Sequence, residues 1–238
     1  METTLTRRSL LVATIAGALC TVPLRAQVSG DGFLLREPAG LLTVRGGYTL
    51  ARAGSDIFSF VQQELTLGRG DFNAITGAFD LSFHTTARTD LAFGLGLARA
   101  SAGSEFRNWV DQNNLPIFQR TSLQTVPLTT VLKFYLAPRG RSFGRYAWIP
   151  ARVAPYVGLG GGMVWYRFRQ SGDFVDAQTL DVFHDDFSSS GRSLMGLALA
   201  GANIAMGTRW AVTGEGRYSY ASADLNKDFV NFNRIDLS

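Results

Sequence analysis

Ala74-Ile75-Thr76-Gly77-Ala78-Phe79-Asp80-Leu81-Ser82-Phe83-His84, followed after a short link by Leu91-Ala92-Phe93-Gly94-Leu95-Gly96-Leu97-Ala98, decides the fold. Large apolar side chains recur at every second position: Ile75, Phe79, Leu81 and Phe83 in the first run, Leu91, Phe93, Leu95 and Leu97 in the second. A period of two belongs to a strand, whose successive side chains point to opposite faces. The link from Thr85 to Asp90 is short, so the two runs read as a hairpin.

The positions between the large residues decide which side is inside. A strand of a soluble barrel or sandwich faces water with its polar side, and that side is rich in Lys and Glu. Here it holds Gly, Ala, Ser and Thr with single charges. Such a face suits the crowded interior of a narrow barrel whose large apolar side chains point out into lipid.

The same period spreads in both directions. Leu42, Val44, Tyr48 and Leu50 alternate with Thr43, Arg45, Gly47 and Thr49. Leu128, Leu132, Phe134 and Leu136 alternate with Thr129, Val131, Lys133 and Tyr135, and Val212, Tyr218 and Tyr220 with Thr213, Glu215, Arg217 and Ser219. Strands are also expected at Tyr156 to Phe168 and Leu194 to Ala205, and an eighth opens at Arg234-Ile235-Asp236-Leu237. The uncharged stretch Ser193 to Thr208 is short for a spanning helix and carries Gly196, Gly201 and Asn203, so it reads as strand. The expected fold is all-β: an eight-stranded antiparallel up-and-down transmembrane β-barrel preceded by a cleavable signal peptide. Unpaired backbone groups are too costly in hydrocarbon for an open sheet, so closure is implied.

Two further patterns agree. Phe83, Tyr135, Tyr156, Trp165, Tyr166, Trp210, Tyr218 and Tyr220 fall near strand ends, where aromatic girdles at the membrane interface belong. Links alternate in length: Ala53 to Phe72, Ser101 to Arg120, Arg169 to Gly191 and Ala221 to Asn233 are long and polar, whereas Thr85 to Asp90 and Met206 to Arg209 are short. Outer-membrane barrels place long loops outside and tight turns inside. Ala137 to Val153 breaks the alternation, being a long link with Arg139, Arg141, Arg145, Arg152 and Trp148 where a turn is expected.

The N-terminus reads as an export signal. Arg7 and Arg8 precede the apolar run Ser9 to Leu19, and a small residue, Ala26, stands before Gln27. Residues 1–26 are expected to be the signal peptide, cleaved between Ala26 and Gln27, with 27–40 irregular and 41–238 the barrel. The single Cys20 lies in the leader, so the mature chain holds no thiol, disulfide or cysteine metal site. Outside the leader there are 20 basic and 18 acidic residues. That balance, with arginines scattered rather than clustered among aromatics, excludes a nucleic-acid reading.

These features resemble the small eight-stranded outer-membrane barrel families of the OmpA-transmembrane or OmpW kind, the group described as outer membrane protein β-barrel domain. The resemblance covers about Leu41 to Ser238 and rests on leader, alternation and loop pattern. It implies a Gram-negative outer-membrane location, lipids and the barrel-assembly machinery as partners, and a monomer. Families of this kind end on a terminal aromatic, whereas this chain stops at Asp236-Leu237-Ser238, so the last strand is expected to be incomplete.

Chemistry-bearing constellations are sparse. Asp80, Ser82 and His84 share one strand face, but neighbours two apart are about 6.5–7 Å apart at the backbone, too far for a nucleophile, base and orienter in hydrogen-bond sequence. His184, Asp185 and Asp186 with Asp173, Asp176 and Asp181 make an acidic loop that matches no calcium-loop spacing. Gly158, Gly160, Gly161 and Gly162 precede no helix pattern and read as glycines facing a cramped lumen. No metal site or cofactor is expected. Arg45, Asp80, Lys133, Glu215 and Arg217 are all expected to point inward as a salt-bridge network filling the lumen. The expected function is a structural or surface-interaction role without catalysis. The alternatives are a narrow channel for small or hydrophobic solutes and, third, a lipid-modifying hydrolase.

Overall fold

In the computed structural model, residues 16–23, 32–176, 179, 181–229, 231–232 and 234–238 are described, with the backbone alone for 16–23 and 227. Among the described residues the chain is all-β apart from one short helix and two 3-10 turns. The strands are β1 (Ala16–Pro23), β2 (Gly40–Thr49), β3 (Ala74–His84), β4 (Thr89–Val110), β5 (Pro116–Tyr135), β6 (Gly140–Phe143), β7 (Ala147–Pro150), β8 (Val153–Val175), β9 (Val182–Ala205), β10 (Ala211–Asp224) and β11 (Arg234–Asp236). The helix α1 spans Asp56–Glu64.

Nine strands form one antiparallel sheet in the order β1-β2-β3-β4-β5-β8-β9-β10-β11, while β6 and β7 make a separate hairpin. Apart from the inserted β6–β7 hairpin, sequence neighbours are sheet neighbours, as an up-and-down arrangement requires. In a flat sheet β3 and β10 would stand roughly 24 Å apart, five spacings of about 4.8 Å. Instead Arg217 Nη2 on β10 lies 3.2 Å from Asp80 Oδ2 on β3. The sheet is therefore strongly curled, and one face is concave. β1 falls within residues 1–26, read from the sequence as the signal peptide, and makes a ninth strand where eight were expected: it pairs with β2 from Ala16↔Gly47 to Pro23↔Leu41 and runs beside β10. The expected cleavage point at Ala26 and Gln27 lies outside the described residues.

Each expected strand is present, and the faces fall as the alternation predicts. Asp80, Ser82, Thr129, Val131, Lys133, Thr213 and Glu215 are buried on the concave side. Ile75 (77% exposed), Leu159 (71%) and Leu194 (79%) are the extremes of a convex face that also carries Phe79, Leu95, Leu97, Leu128, Leu132 and Phe134. The stretch Ser193 to Thr208 is strand up to Ala205.

Inside, side-chain size is matched between β8 and β9. Gly158, Gly160 and Gly162 stand opposite Leu199, Leu197 and Met195, which are buried on the concave face. A Cβ on Gly158 would come within 2.8 Å of Leu199 Cδ1, so this glycine leaves room that the leucine fills. At Gly162 the obstacle is backbone: a Cβ would overlap the Leu128 carbonyl and stand 2.8 Å from Thr129 Cα. Gly162→Ala is expected to cost about 1–3 kcal/mol, the usual penalty of overpacking, read as a lowered denaturation midpoint of the refolded chain. An unchanged midpoint would show that β5 and β8 are not this close.

Two of the expected long loops are strand instead. Ser101 to Arg120 is almost wholly β4 and β5, paired from Ser101↔Ser122 out to Val110↔Pro116. Arg169 to Gly191 is likewise the outer part of β8 and β9, paired from Arg169↔Ser188 to Val175↔Val182. Adjacent apolar residues such as Trp109-Val110, Ile117-Phe118 and Val182-Phe183 fall on both faces among polar ones and leave no alternation to read, yet the ladder forms because the hydrogen bonds are between backbones. The first ribbon turns at Asp111, whose Oδ1 accepts from Asn113 N at 2.8 Å and Leu115 N at 2.7 Å, with Asn114 at φ 60°.

The Ala53 to Phe72 link folds inward. Ile57, Phe58 and Val61 of α1 are fully buried, with Phe58 edge-on to Phe72 at 4.6 Å and to Phe168 of β8 at 6.2 Å between ring centroids. Phe168 meets Phe229 at 5.2 Å, and Leu123, Tyr166 and Ala223 complete the cluster from the concave faces of β5, β8 and β10. The long-link end of the curl is thus closed by an apolar plug.

Candidate functional site

Below that plug the concave face carries charge. Asp80 binds Arg45 of the neighbouring strand through both carboxylate oxygens, Arg45 Nη2 standing 3.1 Å from Oδ1, and also faces Arg217 across the lumen. Arg217 pairs in turn with Glu215 two residues away on β10. Glu215 Oε2 accepts from the Tyr156 hydroxyl at 2.7 Å and lies 3.6 Å from Lys133 Nζ of β5. All five residues expected to form a lumenal network therefore meet, and Tyr156 is a sixth member that alternation alone did not assign. Gly94 makes the space: a Cβ there would press on the Asp80 carboxylate and lie 2.7 Å from Thr129 Oγ1. Each buried charge has an opposite partner, which offsets the several kcal/mol that desolvating an ion costs.

A second polar cluster lies at the short-link end. Asp90, fully buried, binds His84 Nδ1 at 2.9 Å and the Arg139 guanidinium. Arg139 also reaches the Thr86 carbonyl and, at 3.1 Å, Glu37 Oε1. The guanidinium stacks over the Tyr135 ring at 5.3 Å from its centroid. Tyr135 accepts from Asn203 Nδ2 at 3.1 Å, and Asn203 Oδ1 accepts from Thr213 at 2.8 Å. Arg139 belongs to the long link, which here folds back as the β6–β7 hairpin. Trp148 of that hairpin exchanges both backbone hydrogen bonds with Leu34 at 2.8 Å. This cluster was illegible in the sequence because its members come from residues 37, 84, 90 and 139, which no period joins.

The aromatic girdle needs correction. Phe83, Trp165, Tyr218 and Tyr220 are exposed on the convex side, and Trp210 is exposed in the β9–β10 turn. Tyr135 and Tyr156 are only 1% exposed and face inward, and Tyr166 is buried too. Their parity on β5 and β8 matches Lys133 and Gly158, and their hydroxyls are held by Asn203, Glu215 and the Asp224 carbonyl. A phenol can sit inside when its hydroxyl finds a partner.

Asp80, Ser82 and His84 do not form a relay. His84 turns to Asp90, and Asp80 is held by Arg45 and Arg217. In the acidic ribbon, His184 Nδ1 lies 2.9 Å from Asp173 Oδ1 and Arg169 pairs with Asp186, all exposed. Among the described residues no group of three or more His, Cys, Asp or Glu is placed to hold a metal, and no helix is long and apolar enough to cross a membrane. No family model, curated protein or solved structure matches the chain.

Proposed function

We propose that the chain is a bacterial outer-membrane β-barrel, exported by its N-terminal leader, whose role is structural or interactive at the cell surface and does not include catalysis. The observation that carries this reading is the inverted distribution of the strands, with paired charges on the concave face and Ile75, Phe79, Leu95, Leu159 and Leu194 exposed on the convex one. In water so continuous an apolar surface is an aggregation liability; against acyl chains it is the favoured face. Hydrocarbon also demands that every backbone group be paired, and the cross-lumen contact of β3 with β10 supports a sheet that closes on itself.

The long strands suit the same reading. A tilted crossing takes about 9–11 residues, whereas β4, β5, β8 and β9 have 22, 20, 23 and 24. Their outer halves run on past the length a crossing needs, as two ribbons that stand clear of the bilayer and offer the contact surface. The lumen argues for a closed body rather than a channel. It is filled by the α1 cluster at one end, by the Asp80–Arg217–Glu215–Lys133 chain in the middle and by Arg139 at the other.

Cell fractionation with gel migration of boiled and unboiled membrane extract tests this. A band in the outer membrane that shifts on boiling, and silent single-channel recordings, are expected. A soluble periplasmic band without a shift would sink the proposal.

A further inference from the structure

The apolar belt of the convex face gives way to arginine toward the long-link end. Phe79, Leu95, Leu128, Met163 and Leu194 stand in one row across β3, β4, β5, β8 and β9. Two residues further out, Trp165 stands between Val126 and Arg192. Two further still, the row reads Ile75, Arg99, Gln124, Arg167 and Ser190. A step of two residues keeps the face, so all three rows lie on the convex side, the last about 13 Å beyond the first. Arg99, Arg167 and Arg192 are exposed. Arg167, Arg192, Trp165, Gln124 and Ser190 line a groove of about 990 Å³, its open side included.

The three arginines stand close enough to share a ligand. Arg192 and Arg167 are diagonal neighbours, roughly 7–8 Å apart, and β5 alone separates Arg167 from Arg99, roughly 10 Å away. Among the described residues no carboxylate pairs with any of them. The carboxylates that flank the spot have other partners: Asp186 binds Arg169, Asp228 accepts from the Ser188 amide at 2.9 Å, and Asp71 accepts from the Gly68 amide at 2.8 Å. Like charges gathered on one face repel, and an anion removes that cost. A guanidinium fork matches phosphate oxygens bidentately, and a phosphomonoester carries more than a single negative charge at neutral pH. Continuity with the belt decides the source. A membrane amphiphile with its acyl chains on Leu128 and Leu194 brings its head group to the level of Trp165 and the arginines.

We propose that Arg99, Arg167 and Arg192 hold the phosphomonoester head group of a membrane amphiphile whose acyl chains lie on the apolar belt. The site rests on the reading that the convex face meets lipid. No sequence pattern marks it, because its arginines come from β4, β8 and β9 and only the register of the sheet gathers them.

The test uses the full chain folded into phosphatidylcholine vesicles that hold a chain-labelled spin probe, either phosphatidic acid, whose head is a phosphomonoester, or phosphatidylcholine itself. The share of each probe that the protein immobilises reads its relative affinity. Phosphatidic acid is expected to be held about tenfold more strongly. In the double variant Arg167→Gln with Arg192→Gln the preference is expected to fall to about twofold or less. Arg141→Gln with Arg145→Gln, the same change of charge on the exposed β6–β7 hairpin, is expected to keep it.

Equal loss in the two double variants would mean unspecific charge attraction and would overturn the site, as would a preference that survives Arg167→Gln with Arg192→Gln. A preference erased by added inorganic phosphate would assign the arginines to the free ion and overturn the lipid. Immobilisation of both probes alike by the parent chain would sink this site alone. A chain that immobilises neither probe does not meet lipid, and that result would sink the membrane reading together with the site.

Discussion

Glu215→Ala is expected to destabilise the folded chain by about 3–5 kcal/mol, the cost of leaving buried charge without its partner. Glu215 is buried and receives Lys133, Arg217 and the Tyr156 hydroxyl. Removing it takes away the carboxylate that faces Lys133 and one of those that face Arg217, while the two cations remain in a narrow interior that cannot hydrate them fully. Denaturant unfolding of the refolded protein, followed by gel migration, reads the loss. The double variant Glu215→Ala with Lys133→Met is expected to recover at least about 1 kcal/mol, since groups in one network couple by about 0.5–3 kcal/mol. A Glu215→Ala midpoint equal to that of the parent would mean that water reaches the cluster and that the network does not hold the strands together.

The second large effect is on the other face. Leu95 sits between Phe79 on β3 and Leu128 on β5, all three exposed on the convex side. If that face meets acyl chains, Leu95→Arg costs about 2–4 kcal/mol near the bilayer midplane. If it meets water, an exposed Leu→Arg change stays within about 0.5 kcal/mol. Phe118→Arg serves as the comparison, because Phe118 is equally exposed but lies on the β4–β5 ribbon, outside the expected hydrocarbon, and is expected to be near neutral. Equal and small effects at both positions, measured as folding yields and unfolding midpoints in lipid vesicles, would remove the membrane from the account. A loss at Leu95 alone would place the apolar belt there.

The inward charges were legible because their signal is local. Arg45, Asp80, Lys133, Glu215 and Arg217 each stand at the parity opposite to a run of large apolar residues, and parity survives folding whatever the strand's neighbours are. The aromatic girdle was half legible for the same reason: Tyr218 and Tyr220 share the parity of Val212, but Tyr135 shares that of Lys133 and turned inward. Nearness to a strand end was the weaker criterion. The ribbons of β4–β5 and β8–β9 were hidden because adjacent apolar residues such as Ile117 and Phe118 fall on both faces and erase the period that marks a strand, although the backbone pairs regardless.

By itself the sequence determined that the chain is built of antiparallel strands, in which order along the chain, and which face of each carries the large apolar side chains, because a period of two converts directly into a face. Only the tertiary structure decided which inward groups meet. Asp80 joins Arg217 from the far end of the sheet, Glu37, His84 and Asp90 gather on Arg139, and α1 folds into the lumen against Phe168, because the curl of the sheet brings together residues that are far apart in the chain.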